Sequence, residues 1–393
     1  MRITRSHLPD ESEPNYRTWV KEKGCSREFA RDWAAEFGSN PPGGPEETQL
    51  FTSASMCAQV SELSADQTME AYTTQHTIDF LRESVADQQP FFCWASLYRP
   101  HQPYTPVKEY FDRFDTGHWG RGARYGDGIA EPPSFTQPKN ELPPKLETMR
   151  SGTHIPWQYM QAQEDPGIMR RAMAAYFACV LEIDDCIGRM LRELDTLGLS
   201  ENTIVIYASD HGDFVGSHGL IEKVAPGHNV YEETLRVPWM VRWPGHVREG
   251  QVSNDLVELV DLYPTLLDLC GLKAPDGPYP LQGRSLAPHL TRGIPVGRSF
   301  IVSENWSQAA IITEQMKLGH WLPCPHDPKR DHRHFGDQLF DRAHDPHELH
   351  NLINDPQWSE TRQELLDAFD SWRREVPDTG KRASANAMEA KRS

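Results

Sequence analysis

Asn202-Thr-Ile-Val-Ile-Tyr-Ala-Ser-Asp-His-Gly-Asp-Phe-Val-Gly-Ser-His-Gly219 is a β-branched apolar run that ends abruptly in acid, imidazole and glycine. Thr203 to Tyr207 predicts a buried parallel strand, with Asp210 and His211 at its carboxyl end, where open α/β sheets place their ligands. An oxygen ligand and a nitrogen ligand are thereby delivered side by side. The competing reading makes Asp210 a turn cap and His211 a packed ring.

Working upstream, Arg170 to Leu197 predicts the clearest helix, with Met173, Phe177, Val180, Ile187, Met190, Leu191 and Leu194 on one face and Gly198 at its C-terminal end. Asp184 and Asp185 interrupt that helix and read as a polar face or a contact to a loop. Thr68 to Val85 predicts a second helix, ended by Gln88-Gln89-Pro90. Phe91 to Tyr98 follows as a continuous apolar strand, expected to be covered on both faces. It runs into Arg99-Pro-His-Gln-Pro-Tyr-Thr-Pro106, whose prolines are expected to hold the exit extended and to aim His101 from just past a strand end. Residues 107 to 165 read as a long excursion, and residues 1 to 50 as a polar surface region without a strand.

Downstream, Leu220 to His228 predicts a loop, Val237 to Trp243 a strand closed by Pro244-Gly245, and Leu256 to Val260 a short strand. A helix capped by Asp261 comes next, with Pro264 in its first turn and Gly271 beyond its end. The βα alternation gives an α/β fold, a mostly parallel sheet flanked by helices, over residues 1–297, with 1–60 poorly defined. Residues 298–376 read as a small antiparallel sheet plus a helix bearing Leu365, Phe369 and Trp372, and 377–393 as a loose tail.

Composition sets bounds on partners. With 38% hydrophobic residues among 393 the chain can bury a substantial core. Its formal charge of −17 argues against a nucleic-acid or anionic-membrane surface, while a local positive pocket for an anionic substrate stays compatible. The seven cysteines show neither CxxC nor zinc-ligand spacing and read mostly as buried thiols. No apolar run reaches the length of a membrane span, and Met1 to His7 lacks the apolar core of a signal peptide, so the chain carries no address to a compartment.

Several motifs in order resemble the sulfatase family of the alkaline-phosphatase-like superfamily, from about Thr68 to Leu352. They are Pro90-Phe-Phe with Arg99-Pro-His101, Tyr176 to Gly188, Ser209 to Gly219, Lys223 with Tyr231-Glu-Glu-Thr-Leu-Arg-Val-Pro238, Arg242-Trp-Pro-Gly245, Asp261 to Leu267, and Gln338-Leu-Phe-Asp with Asp345-Pro-His-Glu348 and Asn351-Leu352. The resemblance implies hydrolysis of sulfate esters, with a sulfated small molecule or saccharide as partner. It makes Asp210 and His211 metal ligands, and His101 and Lys223 the groups that grip the sulfate and assist departure of the alcohol. His218 and His228 are weaker candidates for substrate contact. The chemistry agrees, because charge moves onto the leaving oxygen and a metal, an ammonium and an imidazole converging there stabilise it. The resemblance implies Ca²⁺, and an imidazole ligand suits Mn²⁺ or Zn²⁺ equally. A phosphonate or phosphate diester hydrolase of the same superfamily is the alternative, and a non-catalytic anion- or partner-binding protein is another.

One departure stands beside the match. The family carries near its N-terminus an Asp-Asp metal pair and a Cys-x-Pro-x-Arg (or Ser) motif whose first residue becomes the formylglycine nucleophile, and neither occurs here. Cys25-Ser-Arg27 reads as a chance likeness. The expectation is a sulfatase lacking its nucleophile segment, with negligible turnover alone.

Overall fold

The structure is a computed structural model describing residues 15–37, 60–114, 131–133, 135, 166–223, 229–277, 281–305, 307–323 and 331–376. The chain divides into two compact units. One comprises Met1–Lys139, Leu146–Thr203 and Asp213–Glu222, the other Asn140–Lys145, Ile204–Gly212 and Lys223–Ser393.

The described elements of the first unit are helical: α1 (Tyr16–Glu22), α2 (Ser26–Phe37), α3 (Met69–Asp87), α4 (Lys108–Phe111) and α5 (Pro166–Thr196). The N-terminal region is therefore not merely polar surface. Asn15 caps α1 by accepting from Thr18 N at 3.1 Å, and Gly24 takes a left-handed turn before α2. Tyr16, Val20, Cys25 and Ala30 are buried. Only this narrow face is apolar, which is why composition concealed it. Thr68 caps α3 and Gln88 ends it in the left-handed conformation. Helix α3 packs along α5, and Tyr72, Met169, Ala172 and Met173 join the N-terminal aromatics in one core. Asp185 meets a helix and not the loop anticipated for it, accepting from Tyr110 Oη of α4 at 2.7 Å.

Phe91 to Tyr98 joins no ladder among the described residues. Coverage on both faces is not what it has: Phe92 is 50% and Trp94 64% exposed, while Phe91, Cys93, Ala95 and Leu97 between them are half-buried. The period is the strand period of two, which an all-apolar sequence hides. The exit also differs from the expected extension. It turns, His101 N donating to Tyr98 O at 3.1 Å.

In the second unit β1 (Val205–Ala208) pairs antiparallel with β2 (Trp239–Arg242), Val205 opposite Arg242 and Ala208 opposite Trp239. A parallel partnership between them would need a crossover of a dozen or more residues, usually a full helix, and the described part of the connection supplies only the four-residue α6 (Glu232–Leu235). Among the described residues the sole parallel pairing is an isolated bridge, Ser61 to Val107, in the first unit. Leu256 to Val260 is loop and first turn, not strand. It leads into α7 (Leu262–Leu269) through a capping box in which Glu258 and Asp261 satisfy each other's backbone. Helix α8 spans Ala287–Arg292.

Beyond it lies an antiparallel sheet, β3 (Ile301–Asn305), β4 (Gln308–Ile312), β5 (Met316–Trp321) and β6 (Gln338–Asp341), in that spatial order, followed by α9 (Ser359–Glu375). Leu318, Leu339, Leu365 and Phe369 form its core with Ala309 and Ile311. Residues 377–393 and most of 107–165 lie outside the described residues. No helix among the described residues is long and apolar enough to cross a membrane.

Candidate functional site

Strand β1 stops at Ala208, and the next three residues turn on their own side chains. Ser209 Oγ donates to the His211 carbonyl at 2.8 Å, and His211 N donates to Asp210 Oδ1 at 3.0 Å. His211 Nδ1 lies 2.8 Å from the Gly212 carbonyl, which can only accept, so in the neutral ring Nδ1 carries the hydrogen and Nε2 the lone pair. That Nε2 stands 3.7 Å from Asp210 Oδ2, with the Asp210 side chain 86% exposed.

An imidazole lone pair and a carboxylate oxygen presented at that separation fit two positions of one divalent ion's coordination shell. Among the described residues no group of three His, Cys, Asp or Glu completes a cluster with them.

The turn is braced by Gly212, whose N–H donates to Thr234 O at 2.9 Å. A Cβ on Gly212 would stand 1.9 Å from the Glu233 carbonyl oxygen. The opposing segment has no freedom to yield, since Glu232 N is bonded to Glu348 Oε2 at 2.9 Å and Thr234 to Asn229. Gly212→Ala is therefore expected to cost about 1–3 kcal/mol, read as a lowered urea midpoint. An unchanged midpoint would refute the close approach.

Asp213 to Glu222 forms a closed loop. Asp213 Oδ1 accepts from Val215 N at 2.9 Å and from Glu222 N at 2.8 Å, while Tyr104 Oη donates to Oδ2 at 2.6 Å. Burial pushes the Asp213 carboxyl up to about 6 against these hydrogen bonds. The chain thus leaves and re-enters the loop at one place. Neither Asp213 nor Tyr104 stands out from the sequence motifs, although an acid three residues past Asp210 is a visible signal.

Lys223 sits at a half-buried bend whose carbonyl accepts from Asn229 Nδ2 at 2.8 Å. His218 is fully buried in a left-handed conformation inside the 213–222 loop, edge-on to Phe214 at 6.0 Å. His228 lies outside the described residues. His101 is half-buried, its ring stacked on Tyr98 at 4.8 Å and its Nδ1 2.6 Å from the Gln102 carbonyl, which again leaves Nε2 with the lone pair. His101 and His218 belong to the first unit, and Asp210, His211 and Lys223 to the second.

Cys25 is buried between α1 and α2, its thiol donating to the Val20 carbonyl at 3.6 Å. Burial raises its pKa, the opposite of what activates a nucleophilic thiol.

The sequence profile of the sulfatase family matches residues 7–272 of this chain. An arylsulfatase of Clostridium perfringens is 31% identical over 296 residues, which cover 74% of this chain and 54% of that protein. The chain spans about half to two thirds of the length of the first curated relatives it matches. A phosphonate monoester hydrolase of Agrobacterium radiobacter superposes with a TM-score of 0.71 at 22% identity, over 94% of this chain and 70% of that one. A protein solved with its substrate D-glucosamine-2-N,6-O-disulfate superposes at 0.59 and 22% identity, over 78% and 69%. These likenesses carry the alkaline-phosphatase-like α/β fold. Because the profile covers well over half of the residues, including the Asp210-His211 turn, the chain belongs to the sulfatase family.

Proposed function

We propose that this chain serves the hydrolysis of sulfate esters, with a sulfated saccharide such as an amino-sugar sulfate as its substrate class. The observation that carries the reading is the turn after β1. It delivers one carboxylate oxygen and one imidazole lone pair, 3.7 Å apart, from a sequence within the family match. Asp210 and His211 would hold the divalent ion, Ca²⁺ or Mn²⁺, which polarises a sulfate oxygen when bound. Lys223 supplies positive charge to the sulfate oxygens. The family resemblance alone gives His101 the role of assisting the departing alcohol, as a hydrogen-bond donor when protonated. Cys25 does not fit as the covalent nucleophile.

The test is to measure Mn²⁺ and inorganic sulfate binding to the full chain, alongside turnover of an aryl sulfate and an aryl phosphonate. Asp210→Ala is expected to weaken Mn²⁺ binding by more than the roughly 10- to 100-fold that loss of an outer partner costs. Lys223→Ala is expected to weaken sulfate binding while sparing Mn²⁺. Preferential turnover of the phosphonate would sink the sulfate reading, and unchanged Mn²⁺ binding in Asp210→Ala would sink the metal assignment.

A further inference from the structure

His101 is held in place by a buried ionic corner two residues upstream. Arg99 N donates to Glu70 Oε1 at 3.1 Å, and the same residue's guanidinium Nε lies 3.4 Å from Glu70 Oε2. Its Nη1 donates to Glu182 Oε2. The three side chains are 10%, 2% and 1% exposed. Glu70 stands in the first turn of α3 and Glu182 in the middle of α5, so main chain and side chain of Arg99 are fixed to two different helices. From that anchor the chain turns at once. His101 N reaches Tyr98 O, and its ring is pinned between Tyr98 and the Gln102 carbonyl.

We propose that Glu182, with Glu70 and through Arg99, is the positioning residue that fixes the ring placement and tautomer of His101. The inference rests on the reading of His101 given above, to which it adds the residue that sets it. The groups facing this corner come from every packed element. Tyr16 belongs to α1, Thr68 and Glu70 to the start of α3, Cys179, Glu182 and Cys186 to α5, Asp32 to α2, and the Val107 backbone to the chain before α4. Asp185 and Tyr110 lie one turn further along. Burial pushes the Glu182 carboxyl up to about 7, with Glu70 adding to the rise and Arg99 opposing it. Its ionisation therefore changes the charge against Arg99 near neutral pH, and the 99–101 corner transmits that change to the ring.

The experiment uses the full chain with ¹⁵N-labelled histidine, the His101 signals being assigned by His101→Gln. Long-range ¹H–¹⁵N correlations read the ring tautomer and its titration. In the unsubstituted chain His101 is expected in the Nδ1–H form at about pH 8. A second inflection, beside the ring's own, is expected near pH 7, where Glu182 ionises. In Glu182→Gln that inflection is lost and the Nδ1–H signal shifts toward a mixture of tautomers. Glu193→Gln, which takes from the same helix α5 the partner of the exposed Arg82, changes neither. A role confined to stability would lower the melting temperature without touching either signature. A folded Glu182→Gln chain that keeps both overturns the proposal. Should that variant not fold, Arg99→Lys, which keeps the charge but loses the fork that spans Glu70 and Glu182, is read the same way, and an unchanged Nδ1–H signal in it overturns the proposal equally. Failure of the underlying reading looks different: sulfate binding and any turnover would survive His101→Gln while the His101 spectra behaved as described.

Discussion

Lys317→Ala is expected to lower the unfolding free energy by about 3–5 kcal/mol and the melting temperature by on the order of 10 °C. The Lys317 side chain is 0% exposed, 6.0 Å from the Phe340 ring centroid. Its ammonium meets Glu348, and Glu232 at 3.4 Å. Glu232 would survive the loss, because Arg342 also holds it at 3.1 Å. Glu348 would not, being 1% exposed, with burial pushing its carboxyl up to about 7 even beside the ammonium. Nor can it withdraw, because its other oxygen accepts from Glu232 N at 2.9 Å and fixes the turn that braces Gly212. Most of the loss is therefore the cost of an orphaned carboxyl. The double variant Lys317→Met with Glu348→Gln removes both charges together and should recover most of it. Urea titration of the single and double variants checks this. If the two lose equal stability, the account in terms of an uncompensated charge is wrong.

The same lysine shows why part of the fold is hidden in the sequence. Met316-Lys-Leu-Gly-His-Trp321 carries a charge and a glycine within six residues and does not read as a strand, yet it is β5, the strand that joins β4 to β6. A buried lysine is legible only once its partners are known, and those lie in Glu232 and Glu348, at distant positions in the chain. Helices α3 and α5 are readable because their caps and apolar periodicity are local: Thr68 at one start, Gly198 beyond one end. The turn at Asp210 and His211 is readable for the same reason. The direction of β1 is not, since pairing is a non-local property, and the apolar run of Phe91 to Tyr98 hides an alternation that only exposure reveals. The Arg99 corner joins residues 70, 99 and 182, and no spacing rule connects them.

That corner gives the second large effect, and its dependence on pH is the sharper test. Arg99→Ala leaves Glu70 and Glu182 side by side in the interior without a cation, and is expected to cost about 3–5 kcal/mol near neutral pH. In the unsubstituted chain the Glu182 carboxyl is raised from 4.5 to about 7. A raised carboxyl binds its proton more tightly when folded, so its contribution is fully present below the unfolded value and is lost as pH rises through the folded one. Asp32, raised by burial to about 6, acts in the same direction. Removing Arg99, which lowers both, moves their folded values higher still and extends the loss to more alkaline pH. A tenfold tighter hold on the proton in the folded chain corresponds to about 1.4 kcal/mol. At about pH 5 the raised carboxyls are largely neutral in the folded variant, and the guanidinium is missed mainly for its hydrogen bonds and packing. The gap between unsubstituted and Arg99→Ala chains should therefore widen from about pH 5 to about pH 8, with Glu182→Gln in the same background narrowing it again at the alkaline end. Paired urea titrations at the two pH values measure this directly. A gap of equal size at both would mean that Arg99 contributes through packing alone, and that Glu70 and Glu182 find other partners when it is gone.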